Sequence, residues 1–241
     1  MTTPHLLLDI EGTTTAIDYV YSVLFPYADE HLNEYVFGLP DSDELAGHAA
    51  AFQAQFEADA AAGVNAVAIP VGAGDTQRQA IVDAARLHMK TDRKTTALKA
   101  LQGRVWRSGY MKGQLRGHVY DDVPVAFRRW AAAGHTLHIY SSGSVEAQRL
   151  IFGHSIAGDL TPLLTQYFDT TTGPKKEAGS YRKIASELGV SPADVTFFTD
   201  NGDEAAAARD SGMRVVVVRR PDDPSPAPGG FLVVTTFDGL F

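Results

Sequence analysis

Two kinds of hydrophobic pattern alternate along this chain. Short apolar runs rich in branched residues fall at 6–10, 136–140, 195–199 and 215–218, with a weaker run at 232–235. Each is bounded by turn-forming residues, and unbroken apolar runs of this length predict strands buried on both faces, as in a parallel sheet. Helical patterns follow most of them. The segments 128–133, 180–188 and 204–211 close on Gly134, Gly189 and Gly212, which suit a left-handed helix end just before the next strand. Strands alternating with helices imply parallel pairing through right-handed crossovers. The predicted fold class is therefore α/β, a three-layer Rossmann-like parallel-sheet core.

Between the first strand and Gly134 this rhythm stops. Ala-rich segments at 44–62, 75–89 and 96–107 have helical spacing and high helix propensity, with Phe52 and Phe56 four apart. Breaks are expected at Gly63, at residues 72–74 and around 109–117. The interval reads as an all-helical cap inserted after the first strand, over the C-terminal edge of the sheet. The expected organisation is a core domain of residues 1–18 and 118–241 and a helical cap of residues 19–117. Residues 221–230, with four prolines and two glycines, are expected to form a mobile loop, and the tail to residue 241 has no functional reading.

Composition narrows the function classes. With 21 basic against 29 acidic residues and a formal charge of -8, the chain lacks the clustered Lys and Arg that a nucleic-acid backbone demands. It has no cysteine, which rules out disulfides, a thiol nucleophile and thiolate metal sites. The run Val215–Val218 is four residues long, against the ~20 of a membrane helix. No basic segment precedes residues 6–8, so no signal peptide is read. A cytoplasmic enzyme is the expectation, and a monomer, since no large apolar stripe stands out.

Ligands of an open parallel sheet bind outside the carboxyl ends of its strands, so the residues there carry the chemistry. After the first strand come Asp9, Glu11, Gly12, Thr13 and Thr14. After the second come Ser141, Ser142, Gly143 and Ser144, and after the third Asp200, Asn201, Asp203 and Glu204. Between these last two groups lie Gly173, Pro174, Lys175 and Lys176, ahead of a helix. Taken singly, Asp9 and Asp200 suit turns or caps, Ser144 a helix N-cap, and Asp203 and Glu204 a first helical turn. Together they form the inventory of a phosphoryl-transfer site without a P-loop. Asp9 would attack phosphorus, and a divalent cation, magnesium by its preference for hard oxygen donors, would offset the repulsion between carboxylate and phosphate. Glu11 would exchange protons with the leaving oxygen and the attacking water, Ser141 or Ser142 would hold phosphate oxygens, and Lys175 would neutralise developing charge.

With these residues in order, the chain resembles the haloacid dehalogenase superfamily of aspartate-nucleophile phosphatases. Asp9 with Thr13, Ser141, Lys175 and Asp200 match its four loops. Where most of these phosphatases carry Asp two residues after the nucleophile, this chain has Glu11. That variant looks like the enolase-phosphatases of methionine salvage, together with residues 24–28, 140–145, 152–155, 168–170, Ser180-Tyr181 and the 117–121 re-entry from the cap. The resemblance spans nearly the whole chain. It implies enolisation of 2,3-diketo-5-methylthiopentyl-1-phosphate and then removal of phosphate to release the acireductone, with one Mg²⁺ per subunit. It places Asp9, Glu11 and Asp200 on metal-site positions and Ser141, Ser142 and Lys175 on substrate-binding ones. In the wider superfamily the second acidic residue offers the metal its backbone carbonyl, so side chain and backbone both stay open for Glu11, as does the register between Lys175 and Lys176. Two other readings share the loops. One is a capped phosphatase or phosphomutase acting on a sugar or glycolate phosphate; the other is a phospho-aspartate signalling module, which lacks a large helical insertion.

Overall fold

The structure is a computed structural model that describes residues 4–72, 74–223 and 225–241. The reading of the N-terminus at residues 1–3, the break at Ala73 and Pro224 of the proline-rich segment lie outside the described residues. In chain order the elements are β1 (His5–Leu8), a single turn α1 (Ile17–Tyr19) followed by a π-helical turn (Val20–Leu24), α2 (Phe25–Gly38), α3 (Asp43–Ala61), α4 (Asp75–Lys90) and α5 (Thr96–Met111). They continue as α6 (Asp122–Ala132), β2 (Thr136–Tyr140), α7 (Val145–Gly153), β3 (Leu164–Phe168), α8 (Ala178–Leu188), β4 (Val195–Thr199), α9 (Gly202–Asp210), β5 (Arg214–Val218) and β6 (Leu232–Val234). The chain divides into two compact units, one formed by the chain up to Val20 with Gly113–Phe241, the other by Tyr21–Lys112. No helix among the described residues is long and apolar enough to cross a membrane.

In the first unit the described strands form one parallel sheet in the order β3-β2-β1-β4-β5-β6. Leu6, Leu7 and Leu8 of the central β1 are all fully buried, because both faces of the sheet are covered. On one face Leu7, Tyr140, Phe168 and Phe197 pack with Tyr181 and Ile184 of α8 and with Ala207 and Ala208 of α9. On the other, Trp130 of α6 stacks 5.6 Å from Phe198, and Phe127 lies 6.1 Å from Phe152 of α7. Each such side chain contributes roughly 1.5–3 kcal/mol by burial, so the sheet holds its strand ends firmly. The three-layer α/β core is as the sequence pattern predicts, and Gly134, Gly189 and Gly212 all have positive φ.

The structure adds elements that the pattern hid. Strand β3 lies at the sheet edge and buries only Leu164 and Phe168, so Thr165, Gln166 and Tyr167 break the apolar run. Residues 113–117 belong to the first unit, because the Gly117 amide donates to His154 O at 2.8 Å and its carbonyl accepts from Ile156 N at 2.8 Å. Residues 221–230, expected as a mobile loop, and the tail after β6 are each tied down by specific contacts. Phe237 is fully buried 5.2 Å from Trp130, and Arg219 pairs with Asp223 at 2.6 Å.

Among the described residues the second unit holds the four α-helices α2–α5, around a core that includes Leu32, Val36, Leu45, Phe52, Ile81 and Leu101. Helix α2 starts with Pro26 in its first turn and buries Ala28, Leu32 and Val36 at four-residue spacing, a signal present in the sequence. Helix α5 runs through Gly109, where a break is expected. A Cβ there would lie 2.6 Å from the Tyr27 ring, so this glycine permits a close helix crossing and does not end a helix.

Candidate active site

Strand order 3-2-1-4-5-6 changes direction beside β1 and β4, and the crevice outside their carboxyl ends is where such sheets bind ligands. The Asp9 amide extends the β1–β4 ladder by one bond, donating to Phe198 O at 2.9 Å, which puts the carboxylate at the sheet edge. Its backbone is pinned by Thr14, whose hydroxyl donates to Asp9 O at 2.9 Å. The Ser141 amide likewise donates to Phe168 O at 3.2 Å, holding Ser141 at the end of β2. Gly12 turns the chain with φ 70, and a Cβ there would overlap the Asp200 carboxylate. Only glycine lets the Asp9 loop approach Asp200 this closely.

The second charge layer is built around Lys175. Its ammonium is buried and lies 2.6 Å from Asp9 Oδ1 and 2.8 Å from Glu204 Oε2, with the Tyr140 ring 5.8 Å away. Ser180 and Tyr181 hold the turn that presents it, donating to Pro174 O at 2.7 Å and Lys175 O at 2.6 Å. Lys176 points elsewhere, to an exposed pair with Asp203 at 2.8 Å. Geometry therefore places Lys175, and not its neighbour, beside the candidate nucleophile. The Thr199 hydroxyl lies 3.3 Å from Asp9 Oδ2 and 3.0 Å from Glu204 Oε2, so its one proton serves one of them at a time. Ser141 Oγ donates to Glu11 Oε2 at 3.2 Å and accepts from Gly143 N at 3.1 Å. Ser142 is exposed at the start of the same turn.

Sequence reasoning gave Thr199 no role, and by itself Glu204 read as a first-turn residue. The buried Gln148, whose amide donates to Gly143 O and Phe168 O at 2.8 Å each, also escaped it. A buried threonine ending a strand just before an aspartate is a local signal for the first. The other two become visible only when strand ends are brought together.

Four carboxylates around one ammonium leave the cluster short of positive charge. Burial, followed by the charge of Asp9, pushes Asp200 up to about 7 and Glu204 up to about 8. The same two causes raise Glu11. Burial pulls the Lys175 ammonium down, but Asp9, Glu204 and Glu11 together outweigh it and hold its pKa above the ordinary value. Because folded Asp200 and Glu204 keep their protons to higher pH than in the unfolded chain, each adds stability that is lost as pH rises through about 7 and about 8. The carboxylates with lowered pKa, Glu34, Asp59 and Asp223, change below that window, and burial lowers His5, His48, His88, His118 and His138, which therefore act in the opposite sense up to about pH 6.5. Above pH 7, where the histidines are neutral in both states, the metal-free protein should lose on the order of 1 kcal/mol by pH 9, and Mg²⁺ should restore most of it. Melting curves at both pH values test this; a midpoint that stays level or rises without metal would contradict it.

These donors fit a hard divalent cation. Asp9 and Asp200 stand on neighbouring strand ends with their charges in mutual repulsion, which a cation between them would relieve. Among the described residues no group of three His, Cys, Asp or Glu side chains is arranged to hold a metal, and the Glu11 carboxylate faces Ser141. Two carboxylates, with other oxygens completing the shell, match the way Mg²⁺ is commonly held.

Comparison with known proteins gives the family of the chain. Residues 4–212 match the family model of haloacid dehalogenase-like hydrolases. The chain is 47% identical over 221 residues to a Pseudomonas aeruginosa protein named enolase-phosphatase E1, covering 91% of each chain. It is 47% identical over 220 residues to a Xenopus tropicalis protein of the same name, covering 90% of this chain and 85% of that one. Among solved structures, the UTR4 protein of Saccharomyces cerevisiae superposes with a TM-score of 0.80 at 29% identity, over 99% of this chain and 100% of that one.

Proposed function

Since the chain belongs to the enolase-phosphatases of the haloacid dehalogenase-like hydrolases, we propose that the cluster at the ends of β1, β2 and β4 performs both halves of their reaction. The protein is an enolase-phosphatase, and its substrate in this reading is 2,3-diketo-5-methylthiopentyl-1-phosphate, converted to the acireductone and phosphate. The observation that carries the assignment of residues is the buried contact of 2.6 Å between Lys175 Nζ and Asp9 Oδ1. It fixes the orientation of one carboxylate at the sheet edge and sets a permanent positive charge beside it.

In the phosphatase half Asp9 Oδ attacks phosphorus and the enediol oxygen leaves, giving an aspartyl-phosphate that water then hydrolyses. Ser141 and Ser142 hold the phosphate oxygens, and Lys175 balances charge gathering on them. Glu11, raised by burial and by Asp9, gives a proton to the leaving oxygen and takes one from the attacking water. In the enolase half the same carboxylate takes the proton from the carbon next to the substrate carbonyl, the C–H pair becomes the C=C bond and the carbonyl an enolate oxygen, and the proton now on Glu11 is the one later given to the leaving oxygen. One Mg²⁺ per chain, held by Asp9, Asp200 and the Glu11 position, would offset the repulsion between carboxylate and phosphate, about 4 kcal/mol per charge pair at ~4 Å and a dielectric near 20. Glu204 and Thr199 keep Lys175 and Asp9 in register. The same reading makes the protein a cytoplasmic monomer that takes a small phosphate ester and needs no macromolecular partner.

The test is turnover of the diketo phosphate ester with and without Mg²⁺, following phosphate and near-ultraviolet enediol absorbance together. Both signals should rise, and both should vanish with a chelator. Phosphate without an enediol, or turnover only of a sugar or glycolate phosphate, would replace the proposed substrate.

A further inference from the structure

Arg220 lies beyond residue 212, where the family match ends, two residues past β5. It is 3% exposed, yet its guanidinium reaches the nucleophile loop 207 positions earlier. Nε and Nη2 both donate to Thr13 O, at 2.9 and 2.7 Å. Nη1 donates to the two oxygens of Asp122 at 2.9 and 2.8 Å and to Thr235 O at 3.4 Å. The rings of Tyr120 and Phe237 lie 4.3 and 4.7 Å from its central carbon. We propose that Arg220 is a positioning residue for the reaction: by gripping the Thr13 carbonyl it sets the height of the loop that carries Asp9 and Glu11.

The loop transmits that grip. The Thr13, Thr14 and Thr15 amides all donate to Ile10 O, at 3.2, 3.0 and 2.9 Å, and the Thr14 hydroxyl donates to Asp9 O. The turn from Ile10 to Thr15 is therefore one closed hydrogen-bonded unit, with Asp9 entering it and Glu11 and Gly12 on its rim. It has no spare room on the other side, since Gly12 already meets Asp200. A carbonyl held by two donors of one planar group is fixed in direction as well as distance, which a lysine cannot reproduce. Phe237 shares the clamp, its amide donating to Asp122 Oδ2 at 2.6 Å. The C-terminal tail thereby acts on a catalytic loop at the opposite end of the sequence.

A misplacement of about 1 Å at a reacting group costs on the order of 10²-fold in rate even when the altered residue is remote from it. The inference rests on Asp9 being the nucleophile, so wild type and Asp9→Asn are assayed alongside. Arg220→Lys should lower kcat roughly 10- to 100-fold while KM for the phosphate ester stays within about threefold. Arg129→Met is the structural control: Arg129 donates to Phe237 O and Leu240 O, holding the same tail without touching the loop. It should lower the melting temperature and keep kcat. In Arg220→Ala, assayed at a temperature where the variant is fully folded, added guanidinium ion at millimolar concentration should recover part of kcat, so that the recovery reads the position of the loop and not the folded fraction.

Equal kcat in Arg220→Lys and wild type would overturn the proposal. So would matching losses in Arg220→Lys and Arg129→Met, or a failure of guanidinium to restore folded Arg220→Ala. If neither Arg220 variant folds, the residue is a folding determinant and the positioning role is withdrawn. An inactive wild type, or an active Asp9→Asn, would instead remove the assignment on which the inference rests.

Discussion

Asp9→Asn should abolish phosphate release, lowering kcat by at least about 10⁴-fold, because the amide keeps the shape of the side chain and loses the nucleophile. Its melting temperature should sit at or above that of wild type. Asp9 is one of four crowded carboxylates, and its charge helps to raise Glu11, Asp200 and Glu204. Removing that charge relieves the others, while Lys175 keeps Glu204 at 2.8 Å as a partner. The metal-free variant should also show a weaker loss of stability with rising pH than wild type, since part of the cause of the raised pKa values has gone. Differential scanning calorimetry beside a phosphate assay reads both effects. An Asp9→Asn protein that still turns over would take the nucleophile role away from this residue. A sharply destabilised one would show that the Asp9–Lys175 pair outweighs the crowding.

Lys175→Met should be costly twice over. The ammonium is buried between two carboxylates, so its removal leaves Asp9 facing Glu204 with no counter-charge; an unpaired buried charge of this kind costs on the order of 2–4 kcal/mol. Glu204, already raised to about 8, limits the damage by taking a proton. Activity should fall about 10²–10³-fold through loss of positive charge near the transferring phosphate. Lys176→Ala is the matched comparison. That side chain is exposed and pairs only with exposed Asp203, so stability should change by less than about 1 kcal/mol and kcat should hold. Should the two variants exchange effects, the register of this loop would be off by one residue.

The contrast between these lysines marks the limit of reading a sequence. Adjacent residues of one type in one turn have the same local pattern, and both have acidic partners in prospect. The turn held by Ser180 and Tyr181 points one ammonium inward and leaves the other in water. Glu204 is a similar case. Its position in the first turn of α9 accounts for a carboxylate there on dipole grounds alone. Its contacts with Lys175 and Thr199 depend on how α9 meets the β3–α8 connection and the end of β4.

What the sequence determined by itself is what short-range pattern encodes. The apolar runs of β1, β2, β4 and β5 are continuous because those strands are covered on both faces, so their existence, and the polar residues just after them, were legible. So was the helical insertion, whose face-forming residues recur at helical spacing. The edge strand β3 was not, because a strand buried on one side needs few apolar residues. The tertiary structure alone decided which charges share a site and what holds it together. Arg220 meets Thr13, and Phe237 meets Trp130, only after the sheet has closed the distance between the two ends of the chain. Burial there depends on three-dimensional proximity, and no local periodicity carries that information.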